Sequence, residues 1–304
     1  MEKTFLSIII CTYNRSAFLE KLLDSLTKMS LSQELFELII VDNASTDNTK
    51  ELSERYKPYF KNFIYHYEKQ QGLSYARNTG IDISNGNVIA YIDDDATVNI
   101  EWGENVYNIY NTMTPQPAAL GGKILPDWEI ERPSWYPDEL LSYVSCVNNG
   151  PEPKTITSNR IYGCNSIYLK EKLIQYGKFD PKLGRVENKQ FTHEEKHLLH
   201  KMEENNEVIF YHPDIITYHF IPKERSTYKY LVERAIGSGI SGAILDTIST
   251  YKHKHLIKNL IRDITFMLLS LIKLKEEKYF YMCSIRIIYA VFYILYRILL
   301  VFKK

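Results

Sequence analysis

Three aspartates, Asp93, Asp94 and Asp95, stand side by side at the end of the apolar run VIAYI. Like charges in a row repel one another, and a buried carboxylate without a partner resists leaving water. At the end of a buried strand the cluster therefore asks for a cation; otherwise it is a solvated turn. In an extended stretch Asp93 and Asp95, two residues apart, point the same way. A hard divalent ion, Mn2+ or Mg2+, takes oxygen ligands of this kind and keeps positions open for phosphate oxygens. The expected chemistry is a metal seated between carboxylates and a diphosphate.

The elements before it alternate. Phe5 to Cys11 is a continuous apolar run, as in a strand covered on both faces. Ser16 is placed to cap a helix whose apolar residues Phe18, Leu19, Leu22, Leu23, Leu26 and Met29 recur at helical spacing. Strands are expected again at Phe36 to Val41, Phe63 to Tyr67 and Val88 to Ile92, with helices at Thr46 to Tyr56 and Leu73 to Ile83. This rhythm means βαβ units and a parallel sheet. Ligands of such sheets bind at the carboxyl ends of the strands. CTYNR, VDNASTDNT, QGLSYARNTG and IDDDA all fall there. Singly each is ordinary turn or cap chemistry; together they mark one edge.

After Pro115 the rhythm changes. GGKI returns a strand, and residues 126–160, rich in Pro, Asn and aromatics, read as long loops. There Trp128, Trp135 and Tyr136 either stack on a ligand or pack the loop. RIYGCNSIYLKEKLIQYG reads as a strand followed by a helix, Thr192 to Glu204 as a helix, Val208 to Tyr211 as a short strand, and a longer helix begins near Arg225. Gly163 would let a ligand approach closely, and Asn165 would then bind it.

Composition excludes some classes. The 304 residues are 45% apolar and 24% charged, with zero formal net charge, as in an ordinary globular chain. From Tyr251 onward eleven Lys and Arg face three Asp and Glu, so the tail carries +8 and the body about −8. A nucleic-acid-binding body would be basic. The four cysteines form no CxxC pair, which argues against a zinc knuckle or a disulfide framework and fits a reducing, cytoplasmic compartment. The start, MEKTFLSIIICTYNRS, reads as a first buried strand and not as a signal peptide. Near the end, only ten uncharged residues separate Arg286 from Arg297, against the roughly 20 that a membrane span needs. On a helix both arginines share a stripe with Ala290 and Tyr293, opposite Ile, Phe, Leu and Val. Such a helix would lie in a membrane interface, drawn to anionic lipid, or pack on its own domain or a second subunit of a homo-oligomer.

SIIICTYNR, LIIVDNASTDNT, QGLSYARNTGI and VIAYIDDDATV resemble, in order and interval, the motifs of the family 2 glycosyltransferases. The resemblance is strong over about residues 4–125 and looser over 160–240. It implies the α/β GT-A fold, a Rossmann-like nucleotide-binding sheet sandwiched by helices, here with a C-terminal helical extension. Residues 1–125 would be the nucleotide-sugar-binding half, 126–250 the acceptor-binding and catalytic-base half, and 251–304 the basic apolar tail. It also implies a nucleotide-sugar donor, most often a UDP-sugar, a divalent metal, and inversion at the anomeric carbon. IDDDA replaces the family's D-x-D motif: Asp95 would ligand the metal, with Asp93 as a further ligand, and Asp93 or Asp94 would meet the ribose. Thr12, Tyr13 and Arg15 would line the nucleoside pocket, Asp42 would hydrogen-bond the base, and Arg77 would sit near base or phosphate.

THEEKHLL takes the place of the family's E-D pair, so Glu194 or Glu195, the latter in the position of the family's Asp, would be the base. The same Thr192 and Glu195 also form a capping box. His219 would approach the metal or diphosphate, and Arg225 would face the leaving phosphates. The family's processive Q-x-x-R-W is absent from the sequence, which points to one sugar per encounter, on a glycan or lipid-linked acceptor at the inner face of the membrane. The competing expectation is a GT-A protein that binds a nucleotide sugar and transfers nothing.

Overall fold

The computed structural model describes residues 4–183, 194–248, 261, 264–265 and 277–302. They divide into two compact units. The first holds residues up to Leu125, Cys146–Lys189 and Glu194–His219; the second holds Pro126–Ser145 and the chain from Phe220 onward.

The first unit is built on alternating elements: β1 (Leu6–Thr12), α1 (Ser16–Leu26), β2 (Phe36–Asp42), α2 (Thr49–Tyr56), β3 (Phe63–Tyr67), α3 (Leu73–Ile83) and β4 (Val88–Ile92). They are followed by β5 (Ala96–Val98), α4 (Trp102–Thr112), β6 (Ala119–Trp128), β7 (Lys154–Thr155), β8 (Asn165–Leu169), α5 (Lys170–Gln175), α6 (Glu194–Glu204) and β9 (Ile209–Ile221). The sheet runs β3-β2-β1-β4-β8-β6-β9-β5, with β7 beside β9. β1 pairs in parallel with both β2 and β4, and β2 with β3. β8 joins β4 antiparallel. In β1, β2 and β4 nearly every residue is buried, because the continuous Ile, Leu and Val runs have both faces covered. Ile9, Ile39, Ile89 and Tyr91 pack in one core with Ala76 and Ile81 of α3 and Leu198, Leu199 and Met202 of α6. That core anchors α6 against the sheet.

Several boundaries differ from the expectations. Ser16 is the first helical residue of α1, not its cap; its N–H donates to Asp47 Oδ2 at 3.0 Å. Asp47 Oδ1 takes the Thr49 N–H at 3.1 Å, so one carboxylate ties off the starts of α1 and α2, and α2 begins at Thr49 and not at Thr46. The strand expected to stop at Tyr211 continues to Ile221. Pro213-Asp214 looks like a turn, but the Asp214 N–H is satisfied locally by His212 Nδ1 at 3.3 Å and the strand runs on. Thr192 of the capping box lies outside the described residues.

Two glycine and carboxylate positions give measurable consequences. A Cβ at Gly122 would stand 2.0 Å from the Ile215 carbonyl oxygen and 2.3 Å from Asn165 Nδ2. A backbone oxygen on a buried strand cannot yield as a side-chain tip can, so Gly122→Ala should cost about 3 kcal/mol in a denaturant melt. Glu207 accepts from Lys172 Nζ at 2.6 Å and Tyr176 OH at 2.8 Å. Burial raises the Glu207 carboxyl, but these donors outweigh it and hold the group below its ordinary 4.5. A depressed carboxylate stabilises above its unfolded pKa and loses that contribution as pH falls through the folded one. Glu207→Gln should therefore cost about 1 kcal/mol at pH 7 and less in acid, read as a shallower fall of melting temperature below pH 4.5.

In the second unit, α7 (Tyr228–Ile248) packs on α8 (Glu277–Phe302). A Cβ at Gly239 of α7 would meet the Tyr289 carbonyl at 2.6 Å, so the glycine is what permits so close an approach. Trp135 packs against Tyr136, Tyr228 and Tyr281, with ring centroids 5.5, 6.4 and 4.8 Å apart, and Trp128 against Tyr136 at 5.3 Å. Of the two readings of these aromatics, the structure shows loop packing.

Candidate functional site

The carboxyl ends of β1, β2 and β4 bring the strand-end motifs together in the first unit. The aspartates do not alternate as an extended stretch would. The chain turns after Asp93, with the Ala96 N–H closing on the Asp93 carbonyl at 3.1 Å. The like pair is therefore Asp94 and Asp95, not Asp93 and Asp95. Both are buried, and the Arg15 guanidinium bridges them: Nη1 to Asp94 Oδ1 at 2.6 Å and Nη2 to Asp95 Oδ2 at 2.7 Å. Thr12 donates its hydroxyl to Asp94 Oδ2 at 2.8 Å. Burial pushes the Asp94 carboxyl up, opposed by Arg15 and reinforced by Asp95.

His219 completes this group. The register of β5 against β9 sets Ala96 opposite His219, which delivers the imidazole Nε2 to 3.2 Å from Asp95 Oδ1. Both side chains are only 4% exposed. Burial lowers the imidazole pKa, but bonds to Asp95 and to the Cys146 thiol overcome it and push it to about 10. His219 is thus an imidazolium paired with Asp95 at neutral pH. Cys146 has no motif to announce it; it precedes Val147, which bridges Ile124 of β6.

The remaining aspartate goes elsewhere. Asp93, 38% exposed, lies 3.9 Å from Arg77 Nη2. Arg77, on α3, is 4% exposed and ion-paired to Glu194 Oε1 at 2.8 Å and Glu195 Oε2 at 3.7 Å at the start of α6. Glu194 is buried, whereas Glu195 keeps 15% of its side chain exposed. Burial raises the Glu195 carboxyl; Arg77 and the backbone N–H at the helix start outweigh it and leave the pKa below the ordinary carboxylate value. Glu195 is therefore ionised, and of the pair it is the more exposed.

Asp42 is buried at the end of β2, where Oδ1 accepts the Ser45 N–H at 2.8 Å and Oδ2 the Tyr65 hydroxyl at 2.7 Å. Tyr13 stands 47% exposed at the same edge, as a ring free to stack. Two expectations fail. Asn165 is 1% exposed and spends its amide on structure: Nδ2 donates to the carbonyls of Lys123 and Ile215, and Oδ1 accepts from Trp102 Nε1. Both its N–H groups are used, so it braces β6, β8, β9 and α4 and has no donor left for a sugar. The space beside Gly163 is taken by Arg77, whose Nη2 would lie 2.3 Å from a Cβ there. Arg225 belongs to the other unit, in the turn Lys223–Ser226.

Whether a metal suits this set is a question of donors. Among the described residues no three His, Cys, Asp or Glu side chains converge as a ready-made cage. Asp95 and His219 do supply two converging donors, and Mg2+ or Mn2+ is commonly held by one or two protein groups plus substrate phosphates. The donor set fits such an ion once Arg15 gives up its hold on Asp95 and His219 gives up its proton.

Residues 7–133 match the model of Glycosyl transferase family 2. A glucosyl-dolichyl phosphate glucuronosyltransferase of Haloferax volcanii is 25% identical over 244 residues, 80% of this chain and 77% of that protein. The mannosyltransferase PcManGT from Pyrobaculum calidifontis, solved with GDP-Man and Mn2+, superposes with a TM-score of 0.65 at 18% identity over 97% of this chain and 88% of that one. S. aureus TarS 1-349, solved with UDP-GlcNAc, gives 0.54 at 19% identity over 77% of this chain and just under two thirds of that one, 66%. With its strand-end motifs gathered at one edge of a sheet shared with these enzymes, the chain has a GT-A fold, and its residues 7–133 match the family 2 glycosyltransferase model.

Proposed function

We propose that this protein moves one sugar from a nucleotide-sugar donor, a UDP-sugar in the first instance, to a hydroxyl of a glycan or lipid-linked acceptor, with inversion. The observation that carries this reading is the gathering of Asp94, Asp95, Arg15 and His219 on one side and Arg77, Glu194 and Glu195 on the other, joined through Asp93. The buried carboxylates and Arg15 suit a diphosphate with its counter-cation; the ionised, accessible Glu195 suits a base. Glu195 takes the proton of the acceptor hydroxyl, and that oxygen forms the new bond to the anomeric carbon as the diphosphate leaves from the opposite face. Asp95 and His219 would hold a divalent metal, whose chemistry is to offset charge on the departing diphosphate. Tyr13 and Asp42 flank the nucleoside side.

A lipid-linked acceptor agrees with the name of the Haloferax relative and with α8. That helix is longer than its uncharged stretch suggested: Glu277–Leu300 is long and apolar enough to cross a membrane by length and composition. Its Ala290–Tyr293 side is the buried one, with Cys283 and Ile285, and Tyr293 donates to Asp246 of α7. Val291, Leu295, Ile298, Leu299 and Phe302 are exposed on the other side. A helix packed on one side and apolar on the other, in a tail of charge +8, is suited to lie on an anionic membrane face. In the full chain, Leu295→Lys with Ile298→Lys should reduce co-sedimentation with phosphatidylserine vesicles about tenfold or more; unchanged sedimentation would remove the membrane role.

The function itself is tested by incubating the protein with UDP- and GDP-sugars, Mn2+ and polyprenyl-phosphate-linked sugars, and following products by mass spectrometry. Transfer of a single sugar is expected. Nucleotide binding with neither transfer nor donor hydrolysis would identify a binding protein instead.

A further inference from the structure

Arg77 is buried among carboxylates and aromatic rings. Only 4% of its side chain is exposed. Glu194, Glu195 and Asp93 lie at 2.8, 3.7 and 3.9 Å. The rings of Tyr91 and Phe179 flank the guanidinium at 5.6 and 5.2 Å. Gly163 leaves room for Nη2 where a Cβ would lie 2.3 Å away. The Tyr91 hydroxyl donates to the Arg77 carbonyl at 3.0 Å, fixing its backbone. The adjacent Asn78 clips the Phe179 backbone with both ends of its amide, accepting the N–H at 3.0 Å and donating to the carbonyl at 2.8 Å. The tripeptide Ala76-Arg77-Asn78 thus builds a cage: Asn78 holds the loop that bears the ring covering Arg77.

We propose that Arg77 is a positioning residue that couples the two halves of the reaction site: one caged guanidinium holds Asp93, at the donor end of β4, and the Glu194–Glu195 pair, at the start of α6, in a fixed relation. This rests on reading Glu195 as the base. The role needs arginine, whose planar fork reaches several carboxylates at once and stacks between rings; a lysine ammonium is a point charge without either property. Placement of the base decides rate because an error of about 1 Å can cost roughly 100-fold.

The test compares Arg77→Lys, Arg77→Gln and Gly163→Ala with the parent enzyme, after circular dichroism has checked each fold. Two quantities are read: kcat for sugar transfer, and the Kd for UDP in the presence of Mn2+ by calorimetry. Both Arg77 variants should lose about 100-fold in kcat while Kd stays within about threefold. Lysine should not rescue, although it restores the charge. Gly163→Ala keeps Arg77 but crowds Nη2, and should lower kcat in the same pattern; it serves if the Arg77 variants do not fold. A Kd weakened tenfold or more with kcat kept would make Arg77 a nucleotide contact and overturn the proposal, as would full rescue by lysine. Glu195→Gln is run in parallel. If it keeps full transfer, the base assignment has failed; if it is inactive while the Arg77 and Gly163 variants are fully active, only the coupling role has failed.

Discussion

Glu195→Gln should lower kcat for transfer by about 1000-fold while UDP binds as before. The substitution keeps the size and most of the polarity of the side chain and removes only its ability to take a proton. Glu195 begins α6, 3.7 Å from Arg77, and retains exposure that Glu194 lacks. Its carboxyl lies below the ordinary pKa, so it is in the basic form throughout the neutral range. Glu194→Gln is the natural comparison. Glu194 is the buried inner partner of Arg77 at 2.8 Å, and its loss should appear first as reduced thermal stability, because breaking a buried pair leaves an uncompensated cation. Initial rates with saturating donor, set beside a UDP titration and a melt of each variant, separate these outcomes. Wild-type rates in Glu195→Gln would move the base elsewhere.

Asp95→Asn should weaken metal-dependent UDP binding by about 100-fold and transfer by at least as much. Two cations compete for this carboxylate: Arg15 on Oδ2 and His219 on Oδ1. Removing its charge takes away the candidate metal ligand and also leaves Arg15 and His219 short of one counter-charge, at a cost of about 3 kcal/mol. The double variant Asp95→Asn with His219→Gln removes one of the two stranded cations. It should recover part of the stability and none of the binding. Recovery of both would make the Asp95–His219 pair purely architectural.

Much of this was legible in the sequence because it rests on local periodicity. The strands over Phe63–Tyr67 and Val88–Ile92 and the helix over Leu73–Ile83 have the expected bounds. The continuous Ile and Val runs could only be covered strands, and the strand-end motifs gather at their ends. What stayed hidden depends on contacts distant in the chain. Alternation along IDDDA assumed an extended backbone, and one turn hydrogen bond from Ala96 redirected Asp93 to Arg77 and paired Asp94 with Asp95. The cation that the three aspartates demanded is first of all Arg15, from the loop after β1. Asn165 looked like a sugar ligand because an amide beside a glycine has that chemistry; only β6 and β9 passing within hydrogen-bond reach show that its donors are spent. Phe179 carries no motif at all, and its place over Arg77 follows from the Asn78 clamp.

The most direct measurement is a calorimetric titration of UDP into the full-length protein, with Mn2+ and with EDTA, for the parent chain and for Asp95→Asn. Saturable binding with Mn2+, at least tenfold weaker in EDTA and at the same weak level in the variant whether or not Mn2+ is present, is the result that a cation-bridged diphosphate at Asp95 requires. Equal affinity in Mn2+ and EDTA, or a variant that binds as the parent does, would contradict it.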